Sequence, residues 1–245
     1  MSPEPYHEAL DRVERDHWWF EALRRLVRES LLEEQPPPGR VLDVGCSTGH
    51  LLGSLPSGYD RTGVDVDSEA IDLAQRLRPE IRFRVGEIES LPFEDASFEA
   101  LLATDVVSAV GVEDDLQAMR ELRRVLFPGG TLIVQVAAYE WLRSGHDRVA
   151  GTARRYTARR LARLLAAADL TPRRLTYRVT LLFPPAAVRR IARRRREESD
   201  VVPVDPRLNR ALGAVMAAEH RLLRRLRLPA GLSVFAVARA GGGER

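Results

Sequence analysis

Val41-Leu42-Asp43-Val44-Gly45-Cys46-Ser47-Thr48-Gly49-His50 is the stretch on which the fold turns. A short apolar run ends in an acid-bearing, glycine-containing turn, and a helical pattern follows. Such a run bounded by glycine reads as a buried parallel strand. In an open α/β sheet, ligands lie outside the carboxyl ends of the strands, where strand order reverses. Glycine at that point lets the backbone take strained angles and approach a ligand closely. One glycine turn is weak evidence, so its partners matter. Twenty residues past Gly45, Asp65 ends a second strand in Gly63-Val64-Asp65-Val66-Asp67. A carboxylate there can accept hydrogen bonds from both hydroxyls of a ribose. A third strand ends at Val85-Gly86-Glu87-Ile88, before Leu91-Pro92-Phe93. There Glu87 can accept from an adenine amino group while Ile88 packs on the ring.

The turn itself argues against a dinucleotide. A pyrophosphate cradle needs glycine at the first, third and sixth positions. Here those positions hold Gly45, Ser47 and His50. Histidine cannot provide the close helix–strand packing of the last glycine, and the lysine of a P-loop is absent. What remains is an adenosine pocket without a phosphate cradle, preceded by Asp43. A ligand carrying a positive amino group and a sulfonium suits that acid.

Working outward, strands and helices alternate. Strands are expected at 40–44, 60–64, 81–85, 98–103, 131–137, 171–179 and 233–239. Helices are expected at 48–55, 68–77 (with Ser68 as N-cap), 112–126 (stopped by Pro128-Gly129-Gly130) and 157–168. This alternation predicts an α/β fold: a Rossmann-like, mostly parallel sheet of seven strands, helices on both faces and an antiparallel last strand. Two helices near 4–16 and 18–34 come first, closed off by Gln35-Pro36-Pro37-Pro38-Gly39 because proline cannot continue a helix. Two more, near 183–196 and 206–227, fill the connection before the last strand. The expected organisation is an N-terminal helical cap at 1–35, a core at 36–180, a helical insertion at 181–231, a final core strand at 232–240 and a disordered tail at 241–245.

Taken together, residues 40–137 resemble the core of the class I, Rossmann-like S-adenosylmethionine-dependent methyltransferases, of the type 11 kind. The family pattern runs acid-x-G-x-G-x-G, then G-V-D, then G-D-A…L-P-F, F-D and L-x-P-G-G. This chain reads Asp43-Val44-Gly45-Cys46-Ser47-Thr48-Gly49, Gly63-Val64-Asp65, Gly86-Glu87-Ile88…Leu91-Pro92-Phe93, Phe98-Glu99 and Leu126-Phe127-Pro128-Gly129-Gly130. Ser47 replaces the middle glycine, and Glu87 and Glu99 replace aspartates. The resemblance implies S-adenosylmethionine as cofactor and S-adenosylhomocysteine as product. It places Asp43, Gly45, Cys46 and Gly49 around the methionine end, Asp65 and Val66 at the ribose, Glu87 and Ile88 at the adenine, and the backbone around Thr104 at the amino group.

Methyl transfer is an in-line displacement that needs the nucleophile held about 3–3.5 Å from the methyl, with water excluded. A general base is required only where the nucleophile must lose a proton. His146 and Asp105 are the candidates carried forward, with Asp147, Tyr156 and His17 behind them. Tyr139-Glu140-Trp141…His146-Asp147…Arg154-Arg155-Tyr156-Thr157 lies where the site should open. It resembles a subgroup in which a His-Asp pair precedes R-R-Y-T, although a further histidine of that subgroup is Thr152 here. Tyr139, His146, Arg154, Arg155 and Tyr156 are therefore candidate acceptor contacts. Arg154 and Arg155 can clamp a phosphate or carboxylate, or cap a helix or pair with Glu140. Trp18 and Trp19, in His17-Trp18-Trp19-Phe20, either close over the ligands or anchor a helix on the sheet.

Composition narrows the classes further. All 38 basic residues are arginine, which rules out a lysine base or Schiff base, and the single cysteine, Cys46, rules out an internal disulfide and a multi-cysteine zinc site. No histidine or acid spacing reads as a metal site. The polar, acidic start does not read as a signal peptide and no apolar run approaches membrane-spanning length, so a cytoplasmic location is expected. The net charge of +3 hides fourteen arginines against one acid, Asp169, between Arg154 and Arg196. This charge split fits a solvated helical face, an anionic small molecule or peripheral contact with an anionic membrane. RNA ranks lower, because no aromatics interleave the arginines. The function expected is methyl transfer to O, N or C of a small, anionic or lipid-like acceptor. The alternatives are RNA-directed methylation or RNA binding, and cofactor binding without transfer. A homodimer is compatible with the sequence, which does not set the oligomeric state.

Overall fold

The computed structural model describes residues 6–192, 194 and 204–241. Strands β1 (Gly39–Val44), β2 (Tyr59–Asp65), β3 (Arg82–Val85), β4 (Phe98–Thr104), β5 (Leu126–Ala137), β6 (Leu170–Arg178) and β7 (Ser233–Ala240) form one sheet. Their order is β3-β2-β1-β4-β5-β7-β6. β1 through β5 pair in parallel, and β7 runs antiparallel between β5 and β6. The order reverses between β1 and β4, which makes the tips of these two strands the expected ligand crevice.

Alternate residues of each strand face opposite layers. On one side Leu42, Val44, Leu101, Ala103, Leu132 and Val134 pack with Met119 and Leu122 of helix α5 (Asp115–Val125) and Leu161 and Leu165 of α7 (Ala158–Ala167). On the other, Val41, Ala100, Leu102, Ile133 and Phe235 meet Leu23, Leu26, Val27 and Leu31 of α2 (Trp18–Glu34). The remaining helices are α1 (Tyr6–Asp16), α3 (His50–Gly53), α4 (Ser68–Leu77), α6 (Gly145–Val149), α8 (Phe183–Ala192) and α9 (Pro206–Leu223). Both sheet edges are blunted against further pairing. β3 exposes Arg82 and Arg84, and β6 carries Pro172 beside a register shift.

Several boundaries differ from the sequence expectation. The cap of α4 is Asp67, whose carboxylate accepts from Glu69 and Ala70 N–H, not Ser68, which is the first helical residue. A carboxylate satisfies two orphan amides at once and complements the helix dipole. The helix expected from Val112 starts at Asp115, because the Asp114 carboxylate caps it. It ends at Val125, and β5 already begins at Leu126, so Pro128-Gly129-Gly130 lies within the strand rather than stopping the helix. The helix expected at 48–55 shrinks to His50–Gly53, since Ser47 and Gly49 take left-handed φ of 48° and 81°. α9 stops at Leu223, short of the expected 227. The ends of the helices expected at 4–16 and 183–196, and the tail 242–245, lie outside the described residues.

Candidate active site at the strand tips

Two backbone bonds shape the turn after β1, as Gly45 and Cys46 both donate to Val64 O (2.8 and 3.1 Å). Gly45 has φ +74° and Gly49 φ +81°, and a Cβ on Gly49 would meet the Phe83 ring at 2.7 Å. Only glycine satisfies both the angle and the approach. Asp65 reaches back to this turn: its carboxylate accepts from Ser47 N–H at 2.8 Å and from Asp67 N–H at 3.0 Å. Val66 is exposed beside it, Glu87 is exposed at the tip of β3, and Ile88 is buried. Asp43, Gly45, Cys46, Gly49, Asp65 and Val66 thus gather at the tips of β1 and β2. Glu87 and Ile88 lie beyond the neighbouring tip of β3, and Thr104 closes β4 on the other side of β1.

The electrostatics of this turn depend on residues that the sequence did not mark. α1 lies across it. Asp11 pairs with His50 at 2.8 Å and with Arg78 at 3.5 Å, and Arg78 donates to Thr48 O at 2.6 Å. Thr48 Oγ1 is 3.4 Å from a Glu14 carboxylate oxygen, and Arg24 donates to the Glu14 carbonyl at 2.5 Å. Asp43 is 2% exposed, and its Oδ1 has no hydrogen-bond partner. Burial, then the charges of Asp65 and Glu14, push its carboxyl well above the usual range. Burial and the nearby Asp11 push Glu14 up to about 7. Burial likewise raises the Cys46 thiol, with Asp43 and Asp65 adding to it, so it stays protonated and inert. A buried carboxylate oxygen without a donor, among acids crowded around a glycine turn, calls for a cationic ligand with N–H donors. This set of acceptors fits the ammonium and sulfonium ends of S-adenosylmethionine and does not fit a phosphate.

The Glu14 shift has a measurable consequence. The folded form holds its proton up to about pH 7, while the unfolded chain releases it near 4.5. Between those values the folded state binds more protons, so stability falls as pH rises. Glu14→Gln should make that decline shallower and add about 1–3 kcal/mol at pH 8. Urea unfolding at pH 5 and pH 8 checks this; an unchanged decline in the variant would contradict it.

A second polar group stands at the tips of β4, β5 and β6. Asp105 follows β4 with φ +63°, and its N–H donates to Gln135 O at 2.8 Å. The fully buried Gln135 side chain donates from Nε2 to Asp105 Oδ2 at 2.7 Å and accepts at Oε1 from Arg178 Nη1 at 2.6 Å. The guanidinium can only donate, so it decides which way the Gln135 amide points. Burial raises the Asp105 carboxyl and brings Arg178 down to about 10. Asp105 nonetheless keeps intermediate exposure. Gln135 and Arg178 escaped the sequence reading; an arginine inside the otherwise strand-like Leu175–Val179 was the available signal.

The other candidates do not gather at one point. Tyr139 stacks on Tyr177 (ring centroids 5.1 Å apart) and on Trp141 (5.7 Å). Trp18 and Trp19 begin α2, and Arg178 lies 5.0 Å over the Trp19 ring. His146 is part-buried in α6. The Asp147 carboxylate binds Arg155 at 2.7 Å and Ser144 N–H at 2.8 Å. Arg155 is 3% exposed and also donates to Ala138 O, so Asp147 and Arg155 form a buried strut. Arg154 donates to Glu113 O, and the buried Tyr156 hydroxyl donates to Asp115 at 2.8 Å. No group of three metal-ligating side chains occurs among the described residues.

Comparison with known proteins bears on the family and the fold. Residues 42–134 match the family described as "Methyltransferase domain". The demethylmenaquinone methyltransferase of Chlorobaculum tepidum is 36% identical over 117 residues, 47% of each protein. The malonyl-[acyl-carrier protein] O-methyltransferase of Erwinia pyrifoliae is 34% identical over 131 residues, 51% of this chain and 48% of that protein. The chain therefore spans about half the length of the curated relatives it matches. Among solved structures, geranyl diphosphate C-methyltransferase from Streptomyces coelicolor A3(2) superposes with a TM-score of 0.62 at 17% identity, covering 97% of this chain and 87% of that one. Residues 42–134 match a methyltransferase domain, and the chain shares the fold of that solved methyltransferase.

Proposed function

We propose that this protein transfers a methyl group from S-adenosylmethionine to a small-molecule acceptor held at the tips of β4, β5 and β6. The observation that carries the reading is the unpartnered, buried Oδ1 of Asp43 beside the Gly45 turn. S-adenosylmethionine, when bound, supplies an electrophilic methyl on a sulfonium. Asp43, Gly45, Cys46 and Gly49 hold its methionine end, with the backbone at Thr104 accepting from the amino group. Asp65 and Val66 hold the ribose, and Glu87 and Ile88 the adenine. α1, strapped to the turn through Asp11 and Glu14, keeps water from that end.

Asp105 is the residue best placed to take a proton from an acceptor. It follows the tip of β4, its carboxyl is raised by burial, and Gln135 fixes its orientation. A carboxyl raised above its usual range is a better proton acceptor than an ordinary one. His146 remains a candidate in α6. Trp19 and Tyr139 supply apolar surface and Trp18 lines the space between α2 and α9, while the more buried Arg155 and Tyr156, with Arg154, support the segment behind Tyr139. The relatives whose names specify menaquinone, malonyl-carrier and geranyl diphosphate chemistry make a small, anionic or lipid-like acceptor the favoured class.

Calorimetry tests the reading directly. S-adenosylmethionine and S-adenosylhomocysteine should bind and a nicotinamide dinucleotide should not, and Asp65→Ala should weaken binding by about 1–3 kcal/mol. Dinucleotide binding, or unchanged affinity in the variant, would count against it. Tight binding with no demethylated product across a broad acceptor panel would favour a binding protein instead.

A peripheral membrane contact suits a lipid-like acceptor. No described helix is long and apolar enough to cross a membrane. On α8 and the segment before it, Leu181, Val188 and Ile191 are exposed beside Arg189 and Arg190. Apolar residues flanked by arginine favour an anionic surface. The protein should float with phosphatidylglycerol vesicles and not with phosphatidylcholine; equal behaviour with both would remove the contact.

A further inference from the structure

α2 and α9 run side by side, yet they leave a cavity of about 260 Å³ between them, floored by Arg178. Neighbouring helices ordinarily interdigitate until no such space remains. Two features keep this one open. First, the helices are pinned at both ends. The Asn209 side chain accepts from Trp18 N–H at 3.0 Å and donates to Asp16 O at 2.8 Å, and the His220 ring meets Glu29 at 2.7 Å. The pins are eleven residues apart on each helix (18 to 29, 209 to 220), about 16 Å along the axis at 1.5 Å per residue. Second, Gly213 stands in the middle of α9 on the cavity wall, and a Cβ built there meets nothing within 4 Å. Glycine inside a helix costs about 1 kcal/mol relative to alanine. Gly213 has no positive φ and no close neighbour to explain it, so its effect is to leave the space empty.

The lining is selective in charge. Arg210 stands on α9 and Arg25 on α2, the latter paired with Glu29 at 3.0 Å beside the cavity; Arg178 is buried next to them, and Glu21 is the one acid among the lining residues. Trp18 and Met216 add apolar surface. We infer that this cavity is a binding site for a compact organic anion, its acid group facing the arginines and its flat apolar body lying against Trp18 and Met216. The volume suits a ligand smaller than the drug-sized ones that fill pockets of roughly 300–1,000 Å³. Arg178 holds Gln135, which holds Asp105, so occupancy would be felt at Asp105 two side chains away. The site stands whatever reaction the strand tips perform.

The test is a titration of the full chain, without methyl donor, with 1-naphthoate and phenyl phosphate against neutral 1-naphthalenemethanol, followed by calorimetry and tryptophan fluorescence. Both anions should bind saturably, and the alcohol about tenfold more weakly or worse. Gly213→Leu fills the cavity and should abolish anion binding while Tm stays at or above that of the wild type. Arg25→Gln with Arg210→Gln should weaken the anions several-fold and leave the alcohol unchanged; this pair decides the matter if the leucine variant does not fold. Absence of saturation by either anion at millimolar concentration, equal affinity for the alcohol, or anion binding that survives both sets of changes would overturn the site.

Discussion

Glu219→Ala is expected to destabilise the protein by about 3–5 kcal/mol, a large share of the 5–15 kcal/mol available to a typical domain. Glu219 is fully buried in α9 and accepts three backbone N–H bonds at the turn after β6. These come from Val179 (2.5 Å), Thr180 (2.6 Å) and Leu181 (2.9 Å). Truncation strands donors at roughly 1–3 kcal/mol for each that stays out of reach of water. Val179 also has φ +58°, a left-handed conformation that a β-branched residue rarely adopts and that persists only where its surroundings enforce it. Relaxation of that turn would reach Arg178, one residue away, and through it Gln135 and Asp105. Glu219→Gln keeps one acceptor oxygen and should lose roughly half as much. Urea unfolding measures the loss, and hydrogen exchange at the amides of 179–181 locates it. A loss below about 1 kcal/mol would mean that water replaces the carboxylate, and that α9 does not hold this turn.

Asp43→Asn should weaken S-adenosylmethionine binding by about 1.5–3 kcal/mol, on the order of 10- to 150-fold, with little change in Tm. The side chain is nearly isosteric, and burial together with Asp65 and Glu14 already favours the uncharged acid when no ligand is present, so the fold loses little. The ligand loses a charged acceptor in a desolvated site, where such bonds are strongest. The same reasoning makes affinity depend on pH. Asp43 and Glu14 must release protons to face a cation, so affinity should rise from pH 6 to pH 8, and less steeply in the variant. Calorimetry at both pH values measures this. Equal affinity for wild type and variant would place the cationic end of the ligand elsewhere.

These two residues also divide what could be read in the chain from what could not. The β-α-β alternation, the glycine turn after β1 and the acids Asp65 and Glu87 are legible because each signal lies within a few residues of the element it governs: a buried strand, a left-handed angle, a strand tip. Strand order came only with the structure, although parallel strands joined by helices admit few arrangements. Helix ends were less legible, because Asp67 and Asp114 compete with their neighbours for the same orphan amides and only geometry decides the winner. Tertiary structure alone decided the electrostatics. Glu14 meets Thr48 across 34 residues, Arg178 meets Gln135 across 43, and Asn209 meets Trp18 across 191. In the sequence, a charged residue that the fold buries is indistinguishable from one on a solvated helix face. Its pKa and its partners come from desolvation and from charges that approach only once the chain has closed.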